Sequence, residues 1–313
     1  MWQVIGASVK GTSHIKLGTN CQDWHGYKPI KNRGVIAAVA DGLGSAKKSD
    51  DGARVSVESA IDTLAQSLDK TIPLNSDEWK DLIFQSFANA RLNLERKATD
   101  DGFSVRDYGA TLIVGVIVDN WLVIGHIGDG AVVALFDDDS LDVISLPQRG
   151  EFANETTPIT APNALNQVRF FSSQKATKAI ALLSDGLQSI SIEYSTNTPF
   201  QRFFKPFFDV ITQTVDVAQM SNALTSFLDS ERVCAKTDDD KTLVLIGKVL
   251  DKQEVFNQEH PKREVEQWEL TPHSDNNLSQ PLPSWPEVGK VLYLKSLDSL
   301  IKLLKYIIQI IEQ

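Results

Sequence analysis

Three times in this chain an apolar run of strand character stops on Asp-Gly. VIAAVA (35–40) runs into Asp41-Gly42, VIGHIG (123–128) into Asp129-Gly130, and AIALLS (179–184) into Asp185-Gly186. A fourth acidic group, Asp238-Asp239-Asp240, stands just before TLVLIG (242–247). If these strand ends meet at one edge of a sheet structure, their charges repel unless a cation lies among them. An all-oxygen set of this kind suits hard divalent ions such as Mg²⁺. Glycine after each Asp lets the backbone approach closely and can lend its own carbonyl. A single Asp-Gly reads as a turn; the recurrence after buried strands is what favours a metal site.

The periodicity around these points gives the fold class. Strands are expected at Val4–Val9, Gly34–Ala40, Thr111–Val118, Trp121–Ile127, Ala131–Phe136, Ala179–Ser184 and Thr242–Val249, mostly rich in Val and Ile. Asp119-Asn120 is a two-residue hairpin signal, so the strands on either side of it pair antiparallel. Apolar residues at helical spacing predict helices over about Asp50–Leu68, Ser76–Thr99 and Asp216–Asp229, with Ser49 or Asp50 as the first N-cap. Strand blocks separated by helices, without strict strand-helix alternation after Asp107, predict an α/β sandwich containing antiparallel sheet and argue against a doubly wound parallel fold.

The texture changes after Val249. Residues 251–286 carry Pro261, Pro272, Pro281, Pro283 and Pro286 among polar residues and read as an extended linker. Residues 287–313 place Leu294, Leu297, Ile301, Leu304, Ile308 and Ile311 on one stripe, an amphipathic helix that either packs on its own domain or docks a partner or a second copy. Its lysines argue against a membrane span.

Size and charge narrow the function. With 313 residues the chain needs neither disulfides nor a structural metal to hold a core. A formal charge of −10 and the lack of basic clusters argue against nucleic acid as a partner. Cys21 and Cys234 form no redox or metal pair, and the amino terminus lacks the pattern of a signal peptide, so a reducing cytoplasm is expected. No phosphate-binding glycine loop, nucleophile elbow or H-E-x-x-H is present. His126, inside a strand, reads as a core histidine, whereas His14 lies in a loop near Asp23.

Six segments taken in order resemble the metal-dependent serine/threonine protein phosphatases of the protein phosphatase 2C type, in their bacterial branch. They are GTSHIKLGTNCQD (11–23), ADGLGS (40–45), YGATL (108–112), IGDGA (127–131), LLSDGL (182–187) and DDKTLVLI (239–246). The resemblance implies a four-layer α-β-β-α sandwich of α+β class, with two central antiparallel sheets, occupying residues 1–250. It implies two Mg²⁺ or Mn²⁺ ions, with Asp41 bridging them, Gly42 lending its carbonyl to one, and Asp185 and Asp239 binding the other. Asp23 would act through the bound waters, Asp129 would hold a weaker third ion, and Gly150–Phe171 would form a variable flap. The implied reaction is hydrolysis of phosphoserine or phosphothreonine on a protein by a metal-bridging water, opposing a cognate kinase.

The sequence departs from the family pattern at three positions. Gln22 stands where many relatives have Glu, and Leu43 where some animal members have a histidine that protonates the leaving group. Gly18 stands where the phosphate-gripping arginine is expected, which leaves Lys16 and His14 as substitutes for it. These departures support a rival reading, a catalytically weak or silent module that docks a partner through its C-terminal helix. Action on small phosphoesters is a third.

Overall fold

The structure, a computed structural model, describes residues 1–146, 156–193, 195–213 and 216–249. The linker and the C-terminal helix expected at 251–313 lie outside the described residues. The first half of the chain forms β1 (Trp2–Val9), α1 (Thr12–Leu17), β2 (Asp23–Ile30), β3 (Gly34–Asp41), α2 (Ser49–Leu68), α3 (Ser76–Asp101), β4 (Leu112–Val118) and β5 (Trp121–Ile127). It continues with β6 (Ala131–Phe136), β7 (Leu141–Ser145), β8 (Arg169–Ser173), β9 (Thr177–Leu183), α4 (Gln188–Ser191), β10 (Ile192–Glu193) and β11 (Thr198–Pro199). Then come α5 (Gln201–Ile211), α6 (Val217–Leu228), α7 (Glu231–Cys234) and β12 (Lys241–Lys248).

Two five-stranded sheets carry the fold, in the orders β1-β12-β9-β6-β7 and β2-β3-β4-β5-β8, and every pairing within them is antiparallel. Strand β3 shows why its sequence has no polar alternation. Val35, Ala37 and Val39 enter the core between the sheets, while Ile36, Ala38 and Ala40 enter the core under α2 and α3. A strand buried on both faces has no solvent side for polar residues. Leu64 of α2 and Trp79 and Phe87 of α3 close that outer core; Phe203, Phe204 and Phe227 of α5 and α6 close the one on the opposite sheet. The result is the α-β-β-α sandwich of α+β class.

The seven expected strands lie within two residues of their expected ends, and the Asp119-Asn120 hairpin sets Val118 opposite Trp121 with Asp119 at φ 53°. Other expectations need correction. The residue before α2 is Lys48, which caps without a side-chain bond, while Ser49 is buried inside the helix. The end of the segment expected as a flap is sheet: Arg169 to Ser173 pair with β5.

Candidate metal centre

Strand register brings the carboxylates together. Asp23 at the start of β2 lies directly opposite Asp41 at the end of β3. Val39 faces Ile113, and Leu112 faces Ile127, so the end of β5, two residues before Asp129, is at the same edge. In the other sheet Leu183 pairs with both Ala131 and Leu243, which sets Asp129, Asp185 and the 238–240 run side by side. Like charges across a strand pair are destabilising, so the fold concentrates repulsion at this end.

These groups meet in a cleft of about 440 Å³ whose lining includes Asp41, Gly42, Asp129, Asp185, Asp239 and His14. One carboxylate oxygen each of Asp41, Asp129 and Asp185 lie within 4.8 Å of one another. Asp239 lines the same cleft outside that tight trio and is more exposed than its three members. A larger groove of about 520 Å³ between α2 and α3 lacks such convergence, and its asparagines pair with neighbours, Asn89 Nδ2 donating to Thr63 Oγ1 at 3.3 Å and Asn93 Nδ2 to Ser59 Oγ at 3.0 Å.

The model for protein phosphatase 2C matches residues 10–229 of this chain. The chain belongs to the protein phosphatase 2C family. Over 255 residues it is 30% identical to serine/threonine-protein phosphatase 3 of Escherichia coli (strain K12), which covers 78% of this chain and 97% of that protein. Its fold is similar to that of serine/threonine phosphatase Stp1 from Staphylococcus aureus, with TM-score 0.53 and 13% identity over 79% of this chain and 95% of the other. It is likewise similar to the Mycobacterium tuberculosis serine/threonine phosphatase PstP/Ppp, with TM-score 0.55 and 15% identity over 80% of this chain and 99% of the other.

The donor set fits the metal dependence of the protein phosphatase 2C family. Among the described residues, no donor meets Oδ1 of Asp23 or Oδ1 of Asp129, both buried acceptors. Buried carboxylate oxygens of this kind are costly unless a cation or water meets them. Burial first, then the neighbouring carboxylates, pushes Asp185 up to about 6 and raises Asp41 well above the usual carboxylate range. Asp23 is pushed up to about 8, mainly by burial, even though Ser184 Oγ donates to its Oδ2 at 2.7 Å. A divalent ion reverses this, because it favours the charged form of each ligand.

The departures from the protein phosphatase 2C pattern have local explanations. Gly18 ends α1 in the left-handed region at φ 69°, where an arginine would be strained. On α1, His14 lines the cleft while Lys16 is exposed and does not. Leu43 lines the cleft and makes no acid-base contact.

Asp240 is the residue whose importance the sequence did not single out. It is buried, accepts from Gly11 N at 2.6 Å and from Gln22 N at 2.5 Å, and lies 2.9 Å from His14 Nδ1. Within an Asp238-Asp239-Asp240 run, only the register of β12 tells the inward carboxylate from its neighbours. Thr111 is a second such residue: its Oγ1 accepts from Asp41 N at 2.9 Å and its own N–H donates to Asp41 O at 2.8 Å. Glycine in Asp185-Gly186 serves backbone packing, since a Cβ there would stand 2.0 Å from Asp240 O.

Proposed function

We propose that this chain hydrolyses phosphoserine or phosphothreonine on a protein, with Mg²⁺ or Mn²⁺ held by its strand-end carboxylates. The observation that carries this reading is the convergence of Asp41, Asp129 and Asp185 at one cleft, beside buried acceptor oxygens that no donor among the described residues meets. Family membership supports the reaction class, and a relative named as a serine/threonine-protein phosphatase, matched over 97% of its length, supports a protein substrate. When bound, a pair of divalent cations lowers the pKa of a water and clamps the phosphoryl oxygens during in-line displacement.

The chain's own residues divide the remaining work. Asp41, Asp185 and Asp239 would be the main ligands with the Gly42 carbonyl, and Asp129 would hold a further ion. Ser184 fixes Asp23 so that Oδ1 is left for water at the site. His14, held beside buried Asp240, would contact the phosphate in place of the family's arginine. A cognate serine/threonine kinase would supply the substrate in a cytoplasm that keeps both cysteines free.

Turnover of p-nitrophenyl phosphate and of a phosphothreonine peptide with Mn²⁺, compared with Asp185→Asn, tests the reading. The wild type is expected to hydrolyse both and the variant neither. Equal rates for the two proteins would sink the enzyme and leave the silent module.

A further inference from the structure

We propose that Arg169 is a positioning residue for Asp129: with Gln188 it clamps the short crossing between the two sheets, so that the carboxylate is presented to the cluster. The inference rests on the metal-dependent reading of the site.

The crossing is the weak point of the centre. Strand β5 belongs to one sheet and β6 to the other, and the chain passes between them in the three residues Gly128, Asp129 and Gly130. Asp129 has glycine on both sides, with Gly128 at φ 111°, so this turn draws no stiffness from its neighbours' side chains, and fixing it in one conformation costs backbone entropy. Something must hold it.

Two side chains from elsewhere do so. Arg169, on edge strand β8, donates through Nη2 to Gly128 O at 3.0 Å and through Nη1 to Leu146 O, just past β7 of the opposite sheet. Gln188, at the start of α4, donates through Nε2 to Asp129 O. The carbonyls of Gly128 and Asp129 are thus taken by side chains from two other elements. Thr156 Oγ1 donates to Asp129 Oδ2, which leaves Oδ1 as the buried oxygen without a donor among the described residues.

The arginine is itself supported. His126 Nδ1 lies 3.0 Å from Nη2 and 2.7 Å from Ser145 Oγ. Burial holds His126 well below its ordinary value, so it is neutral and accepts at Nδ1. The half-buried guanidinium therefore uses its Nη1 and Nη2 donors on carbonyls and an imidazole, while its charge interacts favourably with Asp129. A lysine cannot span the same contacts, because it offers one point donor where arginine offers a planar fork.

A merely structural arginine would also tie β8 to β7, so the test must separate the two roles. Calorimetric titration with Mn²⁺ would be run on the wild type, Arg169→Met, Asp129→Asn and the double variant. The expected result is about tenfold weaker binding at one class of site in Arg169→Met, in the range found for groups that orient metal ligands. In the Asp129→Asn background, Arg169→Met is expected to add nothing further. Independent, additive losses would overturn the proposal, as would an unchanged isotherm for Arg169→Met.

If Arg169→Met gives no folded protein, Gln188→Met decides through the same cycle; failure of both to fold would assign the pair to scaffolding and overturn the proposal. A wild type that binds no Mn²⁺ overturns the metal reading and the clamp together. A wild type that binds Mn²⁺ and hydrolyses p-nitrophenyl phosphate, with variants that match it, overturns the clamp alone.

Discussion

Asp240 and Asp185 stand at the same end of the sandwich, yet the protein treats them in opposite ways. Asp240 receives two backbone N–H groups at 2.6 and 2.5 Å and has His14 at 2.9 Å, so its charge is met from within the chain. Asp185 shares its surroundings with Asp41 and Asp129, and its pKa is pushed up to about 6 by burial and then by Asp129. Where a carboxylate holds loops together the fold meets both its oxygens with donors; where three carboxylates face a cleft it leaves an oxygen such as Asp129 Oδ1 without one among the described residues. The difference separates a structural acid from a ligand better than sequence position does.

The largest expected effect follows from that division. Asp185→Asn should lower phosphatase activity by at least about a hundredfold, since even groups that only orient metal ligands are worth ten- to a hundredfold. In the absence of metal the same variant should melt no lower than the wild type, because one of three mutually repelling acids has been neutralised. A clear fall in its metal-free melting temperature would break the comparison.

Asp240→Ala should do the reverse. Removing it strands the buried N–H of Gly11 and frees His14, and charged hydrogen bonds of this kind are worth roughly 1.5–3 kcal/mol each. A loss of about 3 kcal/mol in denaturant unfolding is expected with or without Mn²⁺. A variant as stable as the wild type would place Asp240 among the dispensable surface acids.

Much of this architecture was readable beforehand, and the failures have physical causes. Strands buried on both faces are continuous Val/Ile/Ala runs, so β3, β4 and β9 were plain, and the Asp-Gly pairs after β3, β5 and β9 marked the site. Edge strand β2 was missed because DWHGYKPI has exposed Trp24, Tyr27, Lys28 and Pro29 and no apolar face to count. Helix α5 was missed because Pro206 interrupts a Phe-rich run that tertiary packing nevertheless keeps helical. Arg169 and Gln188 left no signal, and Thr111 and Ser184 stood in the quoted YGATL and LLSDGL segments without a visible role, because each works through a backbone atom or side chain far away in sequence that only the fold brings near.

A smaller effect concerns pH. Asp23 and Asp185 have folded pKa values above those of an unfolded chain, so between about pH 4 and 8 the metal-free folded state binds more protons and loses stability as pH rises. Half-buried His25 and buried His126 are shifted down by burial and act the other way below about pH 6.5, because the unfolded chain then holds the extra protons. Those histidine contributions cancel when the melting temperature with Mn²⁺ is compared with that in a chelator at each pH. That difference should widen from pH 6 to pH 8 by about 3 °C or more, as metal binding displaces fewer protons from the ligands. A constant difference would mean that the acids near Asp185 do not hold the ion.

The smallest effect falls on Ser184, which stands between the two kinds of carboxylate. Its hydroxyl donates to Asp23 Oδ2 at 2.7 Å and accepts from buried Thr242 N at 3.0 Å, so it links β12 to the acid opposite Asp41. Ser184→Ala should cost about 1 kcal/mol, the usual net worth of a hydrogen bond, with a further share for the N–H left without its partner. The loss also removes the strongest influence holding Asp23 down, so the carboxyl should titrate above about 8 in the metal-free protein. Carbon-detected NMR titration of Asp23 reads this directly. A value that falls instead would show that Asp23 draws its donors from water, and would move it from the ligand side of the comparison to the side of Asp240.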